Sequence, residues 1–287
     1  MIRLDAATVL LQWAVGGLLF LWVTTRRREV GIGYGWLLRG VYLVLAAGAV
    51  ATGRVTGRSV PVRDVSAALM AVAALAALVV SVMRRKAGVA GERARRERAK
   101  ARIGAGAATG IERANKELRD DIAEFPPWLD LIAPVVGVVG LIAGGIDAGG
   151  PHLLAVVRTL VGAAFLGSVT DAMLLGHWYL VQPGLGRAPL NELNMWLAAV
   201  WPAEVAALLW PTGMVQVLNG HIDDGYSGLL GWFWLACAVT TIALCFVTRA
   251  ALKERAYSAV MAATGLLYLA ILTAFGTDLV ARAILAS

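Results

Sequence analysis

Residues 65–102 read VSAALMAVAALAALVVSVMRRKAGVAGERARRERAKAR, nineteen residues without a charge followed by nine Lys or Arg against two Glu. An uncharged stretch of about 20 residues is what a helix needs to cross the hydrocarbon of a bilayer, and Lys and Arg gather on the cytoplasmic side of such a span. The excess of seven positive charges here equals the formal net charge of the whole chain, +7, so the remainder is neutral. A basic run placed this way meets anionic lipid headgroups. Membrane lipids are therefore the expected partners of this segment, and nucleic acid is not.

Working outward, the same pattern recurs. The 287 residues are 59% hydrophobic and 16% charged, with a mean hydropathy of +0.71, against about 25% charged in an average globular chain. So few charges cannot clothe a soluble enzyme or a disordered tail. The expected fold class is all-α, a polytopic membrane helical bundle of about eight spans near 6–24, 33–52, 65–83, 128–148, 152–182, 189–213, 226–248 and 256–285. Three spans precede the basic segment and five follow it, which divides the chain into 1–83, 84–127 and 128–287. This three-plus-five division does not suggest an inverted repeat of equal halves.

Charge sets the expected orientation. Arg26, Arg27 and Arg28 follow the first span, which places the amino terminus outside; alternation then puts 84–127, Arg187, Arg249, Lys253 and Arg255 inside and both termini outside an integral cell-membrane protein. The loop around His221, Asp223 and Asp224 carries no Lys or Arg, whereas Arg54, Arg58 and Arg63 in segment 53–64 run against the rule. Within the basic segment, Gly91 to Arg102 reads as a basic helix and GAGAATG at 104–110 as a break. Ile111 to Glu124 resumes as a mixed-charge helix with Glu112 and Lys116 at i,i+4, ended by Pro126 and Pro127 before Trp128, an interfacial anchor.

Polar groups inside spans are costly unless partnered and so point to function. One set surrounds the junction of the fifth and sixth spans: His177, Trp178, Tyr179, Gln182, Asn191 and Asn194, with Trp196 nearby. Aromatic faces with polar tips beside a histidine suit a quinone headgroup or a bound lipid; an aromatic belt with an Asn pair joining two helices is the alternative. A bis-His haem is disfavoured, because His152 and His221 belong at the opposite end from His177, which leaves only a Met such as Met173 or Met195 as its partner. Three His and two Cys give no zinc spacing, and Cys237 and Cys245, eight residues apart, are expected to pack rather than pair.

A second set is ionic. Arg158, Glu204 and Asp278, with Arg282 one turn beyond, fall at matched depth on the fifth, sixth and eighth spans, and Pro202 and Pro211 flank Glu204 and free backbone carbonyls. Asp171 stands apart near the middle of its helix, with Trp178 on its face and His177 turned away. The set is either a structural ion pair or part of a proton path. Small residues at Gly140, Gly144, Gly162, Ala163 and Gly167 suit close helix packing.

No nucleophile–base, metalloprotease or phosphate-loop pattern is present. The leading expectation is a non-catalytic membrane subunit, plausibly of a respiratory or redox assembly with other membrane or peripheral subunits, holding quinone or lipid near His177. The alternatives are a proton-coupled transporter or channel-like protein using Glu204, Asp278 and Asp171, and a scaffold whose 84–127 segment recruits a partner.

Overall fold

The computed structural model describes residues 5–94, 97, 122–182, 184–210 and 213–286. Among these there is no strand, and nine helices are described from end to end, in order: α1 (Ala6–Thr25), α2 (Ile32–Val55), α3 (Pro61–Met83), α4 (Leu129–Asp147), α5 (His152–Val181), α6 (Ala188–Leu209), the one-turn α7 (Met214–Leu218), α8 (Leu229–Ala251) and α9 (Tyr257–Ala286). Local chemistry sets several boundaries. The Asp5 carboxylate accepts from the Thr8 N–H at 3.1 Å and caps α1, while Pro61 and Pro189 occupy first-turn positions of α3 and α6 where an N–H is dispensable.

Seven helices are long and apolar enough to cross a membrane, and the protein is a polytopic membrane helical bundle. The exception, α6, has the length at 22 residues but carries Asn191, Glu192, Asn194 and Glu204. It nevertheless traverses the bundle. Near its start Asn194 donates to the Cys245 carbonyl late in α8 at 3.0 Å, and near its end the Ala207 carbonyl accepts from Arg158 early in α5 at 2.7 Å. The helix stops at Leu209, four residues before the expected end, and α7 follows after a short connection.

The spans before and after the basic segment interleave. α1 packs on α2, α4 and α5, α3 on α2 and α4, α5 on α6 and α9, and α8 on α9. A helix that is apolar all round belongs in the centre, and α1 and α5 are central: 67% and 61% of their apolar stretches are buried, against 33–44% in the other five spans. Their crossing is closer than any side chain permits. A Cβ on Gly16 would overlap the Ala163 carbonyl oxygen, and one on Gly167 would overlap the Gly16 backbone, so the small residues expected on the fifth span do bring two backbones together. The Gly140 and Gly144 face of α4 likewise lies against Leu11 and Ser66, and Thr8 and Arg63.

Two ion networks brace the ends. At one end Arg63, 1% exposed, is held by Asp5 and by Asp64 at 2.8 Å, so one of the three cations opposing the charge rule is neutralised inside the protein. At the other end Arg39 and Asp130 make paired bonds of 2.7 Å, Nε to Oδ1 and Nη2 to Oδ2. That end also gathers Arg26 and Arg27 on Glu192, Arg28 on Glu124 and Arg84 on the Glu124 carbonyl; it is called the basic end below. The described part of the basic segment begins as a helix over residues 90–94, tied to the α1–α2 turn by the Gly91 N–H on the Arg28 carbonyl at 2.9 Å. Residue 97 of the expected basic helix is also helical; the remainder of that helix, the 104–110 break and the Glu112–Lys116 pair lie outside the described residues, and the second expected helix does not run to Glu124, since residues 122–124 are not helical. Cys237 and Cys245 are free and buried, as packing residues.

Candidate functional site

Away from the basic end, a polar cavity of ≈ 190 Å³ descends into the bundle. Its mouth lies between the α1 amino terminus at Asp5, the α2–α3 turn at Arg58, Ser59 and Val60, and the α4–α5 turn at Asp147 and Ala148. Deeper in, Thr8 and Gln12 of α1, Arg158 and Thr159 of α5 and Arg282 of α9 line it. Gln12 is seven residues from its cap and Arg158 seven from its own, so the floor is about 10 Å inside the helix ends.

Of the ionic residues expected from the sequence, Arg158 and Arg282 line this floor, and Asp278 and Glu204 lie buried behind it. Arg282 Nε bonds Asp278 Oδ1 at 2.6 Å across one turn of α9, and Arg282 Nη2 donates to the Arg158 carbonyl at 2.7 Å. Gln12 Nε2 lies 3.4 Å from Asp278 Oδ2. Arg158 therefore is not the partner of Asp278. Its Nε takes the Ala207 carbonyl, which in an unbroken helix would accept from residue 211; that residue is proline and has no N–H to give. A freed carbonyl is thus matched to a buried cation, a use of Pro211 that needs only its covalent structure.

Glu204 is the unusual member. It is fully buried, it sits within electrostatic reach of Asp278, Arg282 and Arg158, and its carboxyl oxygens accept from no N–H or O–H donor, which leaves the neighbouring Asp278 carboxyl as the group within hydrogen-bonding reach. The Gln12 Oε1 atom is buried and unpartnered as well. Gly162 makes the assembly possible, since a Cβ there would collide with Arg282, Gln12 and Asp278 together. Two arginines face two carboxylates, so the cluster balances formally while its geometry leaves one carboxyl unsatisfied.

Asp171 belongs elsewhere. It lies nine residues beyond Gly162 on α5, about 13 Å further along the axis, where the Tyr42 hydroxyl bonds its Oδ1 and the Tyr34 hydroxyl donates to its backbone carbonyl at 3.2 Å. Its Oδ2 has no partner.

The His177 set is not gathered into one site. His177 is exposed, with Nδ1 3.3 Å from the Tyr268 hydroxyl of α9. Trp178 turns the other way, towards Tyr34, and its Nε1 donates to Gln182 Oε1 at 2.8 Å, which also accepts from the Gly31 N–H at 3.0 Å. Tyr179 donates to the Gly186 carbonyl, and Asn194 faces α8. Asn191 alone of the six opens on a groove, with Arg27, Glu192, Met195 and Trp196.

Protein-family models, curated proteins and solved structures give no match to this chain. The site is therefore read from its own chemistry.

Sequence reasoning passed over Gln12, Tyr42, Arg39 and Asp130. The rule that singled out Arg158 applies equally to Arg39, an arginine inside the second span, and would have found it; Gln12 and Tyr42 are common residue types whose burial only the packing reveals. Asp224, read from the sequence only for the charge of its loop, turns out to be a helix cap. Both its oxygens serve the start of α8, accepting from the N–H groups of Tyr226, Gly228, Leu230 and Gly231 at 2.8–3.2 Å. Desolvation opposes its charge, but those four donors outweigh it and hold the carboxyl below its ordinary range.

Proposed function

We propose that the protein is a proton-conducting, channel-like membrane protein in which Glu204 takes up and releases a proton at the floor of the cavity. The observation that carries this reading is the fully buried Glu204 carboxyl, which accepts from no N–H or O–H donor and faces a second carboxyl, Asp278, behind a cavity lined by Gln12, Arg158 and Arg282. A carboxyl serving only as a packing element is normally satisfied by hydrogen bonds, because an unpaired one buried in a bundle costs several kcal/mol, of order 3. In this reading the cavity supplies water, the two arginines balance the two carboxyls, and Glu204 cycles between holding and losing its proton. The basic end, with Arg26 to Arg28, Arg84, Arg187 and Arg249, faces the cytoplasm, and the cavity opens outward.

The test is the purified protein in liposomes containing a pH-sensitive dye, with a potassium diffusion potential imposed. Proton entry above that of empty liposomes is expected, and Glu204→Gln, nearly identical in shape, should bring it to the empty-liposome level. Wild-type protein without flux, or an unaltered rate in Glu204→Gln, would sink the reading.

A second reading rests on the groove at the basic end, ≈ 470 Å³, where Arg27 and Asn191 border Met195 and Trp196. A cation beside an apolar trough suits a phospholipid or quinone headgroup with its tail along α6, the surviving form of the ligand expected near His177. Native mass spectrometry after gentle extraction should then show one retained lipid or quinone, lost in Asn191→Ala with Arg27→Ala.

A further inference from the structure

The cavity floor ends against a wall. Below Gln12 and Gly162, the next contact between α1 and α5 is the Gly16–Gly167 crossing, where backbone meets backbone and no side chain or water fits between. On the far side of that crossing the seam becomes polar again. Trp13, which precedes Gly16 on α1, reaches past the crossing to donate its Nε1 to Thr170 Oγ1 at 3.0 Å, and the residue after Thr170, Asp171, is fully buried with Tyr42 on one oxygen and no donor on the other. Asp171 takes part in none of the ion pairs among the described residues.

From this placement we propose that Asp171 and Tyr42 form a second proton-binding station, separated from the Glu204 station by the Gly16–Gly167 crossing and loaded when α1 and α5 part there. The proposal rests on the proton-conducting reading. Its chemistry is a single proton transfer: the O–H bond on Glu204 breaks, the proton passes through water admitted to the opened seam, and a new O–H bond forms on Asp171 Oδ2, the oxygen left open. Tyr42 keeps its own hydrogen and holds Oδ1 in place. The titratable groups facing Asp171 are Tyr42 and Tyr34, both on α2. Gly17 reserves the place of the Tyr42 ring, which any Cβ there would strike. The arrangement gives one station open to the cavity, one facing the basic end, and a bare backbone contact between them.

Two measurements on the full-length protein test it. In the liposome assay, Asp171→Asn should reduce proton entry to the empty-liposome level, and Tyr42→Phe, which removes only a hydroxyl, should lower it roughly ten-fold, the factor attached to one buried hydrogen bond. In infrared difference spectra between two pH values, a carboxyl C=O band should vanish in Asp171→Asn and shift in Tyr42→Phe while the band lost in Glu204→Gln stays. Gel filtration and helical circular dichroism establish that each variant is folded. Wild-type flux in Asp171→Asn overturns the second station and leaves the first standing, the proton then passing elsewhere, such as by the Thr241–Thr273 hydroxyl pair of α8 and α9. Absence of flux in the wild type removes the conducting reading, and absence of any carboxyl band belonging to Asp171 removes the station.

Discussion

Removing the Asp130 carboxylate should destabilise the protein more than any other single change at the basic end. Arg39 is 2% exposed and Asp130 1% in their side chains, so neither is solvated. Arg39 Nη1 donates to Ser81 at 3.0 Å, its guanidinium carbon lies 4.3 Å from the centre of the Phe125 ring, and Thr25 donates to Asp130 at 3.2 Å. Asp130→Ala leaves the guanidinium with Ser81 as its hydrogen-bond partner and no counter-charge, for which the cost is about 3–5 kcal/mol. Asp130 also lies in the first turn of α4, where losing a negative charge adds about 0.3–1 kcal/mol. The double variant Arg39→Met with Asp130→Leu removes both charges and should lie within about 2 kcal/mol of wild type, well below the sum of Arg39→Met and Asp130→Leu measured singly. Unfolding in mixed micelles by increasing dodecyl sulfate, followed by circular dichroism and by the fluorescence of Trp36, whose Nε1 donates to the same Ser81 at 2.7 Å, reads all four corners of the cycle. A cost below about 1 kcal/mol for Asp130→Ala, or a double variant equal to the sum of the singles, would refute the reasoning.

Two further outcomes are expected. Gly16→Ala should cost about 1–3 kcal/mol or more, because the added methyl meets backbone that cannot rotate aside, whereas Gly265→Ala, with nothing within 4 Å of its Cβ, should be neutral or slightly stabilising; equal melting temperatures for the two would show that α1 and α5 do not touch as described. Asp224 has a folded-state value below its unfolded one, so its contribution is present above the unfolded carboxyl value of about 3.9 and is lost as the pH falls below that towards the folded value. Melting curves between pH 7 and pH 3 should flatten in Asp224→Asn relative to wild type, and parallel curves would count against the four-donor cap.

Where the sequence was legible, the reason is periodicity over a long distance. Each span is a run of 19 to 30 helical residues whose existence follows from bilayer thickness, and the ends came within four residues. The end of α6 was misplaced because Trp210 to Met214 carries no charge, although its Pro211 and Gly213 are helix breakers and the helix has already stopped at Leu209. The ionic cluster was legible for a related reason: helical rise converts position into depth, so Arg158, Glu204 and Asp278 could be set at one level before any packing was known. Rotation about each helix axis is what the sequence withholds in a chain apolar on all sides. His177, Trp178 and Tyr179 are consecutive and therefore point about 100° apart, which is why proximity in sequence did not make them one site, whereas the Arg282–Asp278 pair follows from i,i+4 spacing on one helix.

The two buried ionic networks separate structure from function by their hydrogen bonds rather than by their charges. Around Arg39 both Asp130 oxygens are partnered and three guanidinium nitrogens have acceptors, so the network is closed and there is no open atom for a proton or ligand. At the cavity floor the same residue types leave Glu204 Oε1, Glu204 Oε2 and Gln12 Oε1 open, and Asp171 Oδ2 repeats the pattern beyond the α1–α5 crossing. Half-satisfied amides such as Asn194, whose Oδ1 is open while its Nδ2 holds the Cys245 carbonyl, are tolerable as helix glue because a neutral acceptor costs little beside a carboxyl. A buried carboxyl that accepts from no N–H or O–H donor is far more costly as an anion than such an amide. That cost, borne by residues at positions 158, 204, 278 and 282 that converge from three helices, is the physical support for the role proposed for Glu204 rather than for its better-bonded arginines.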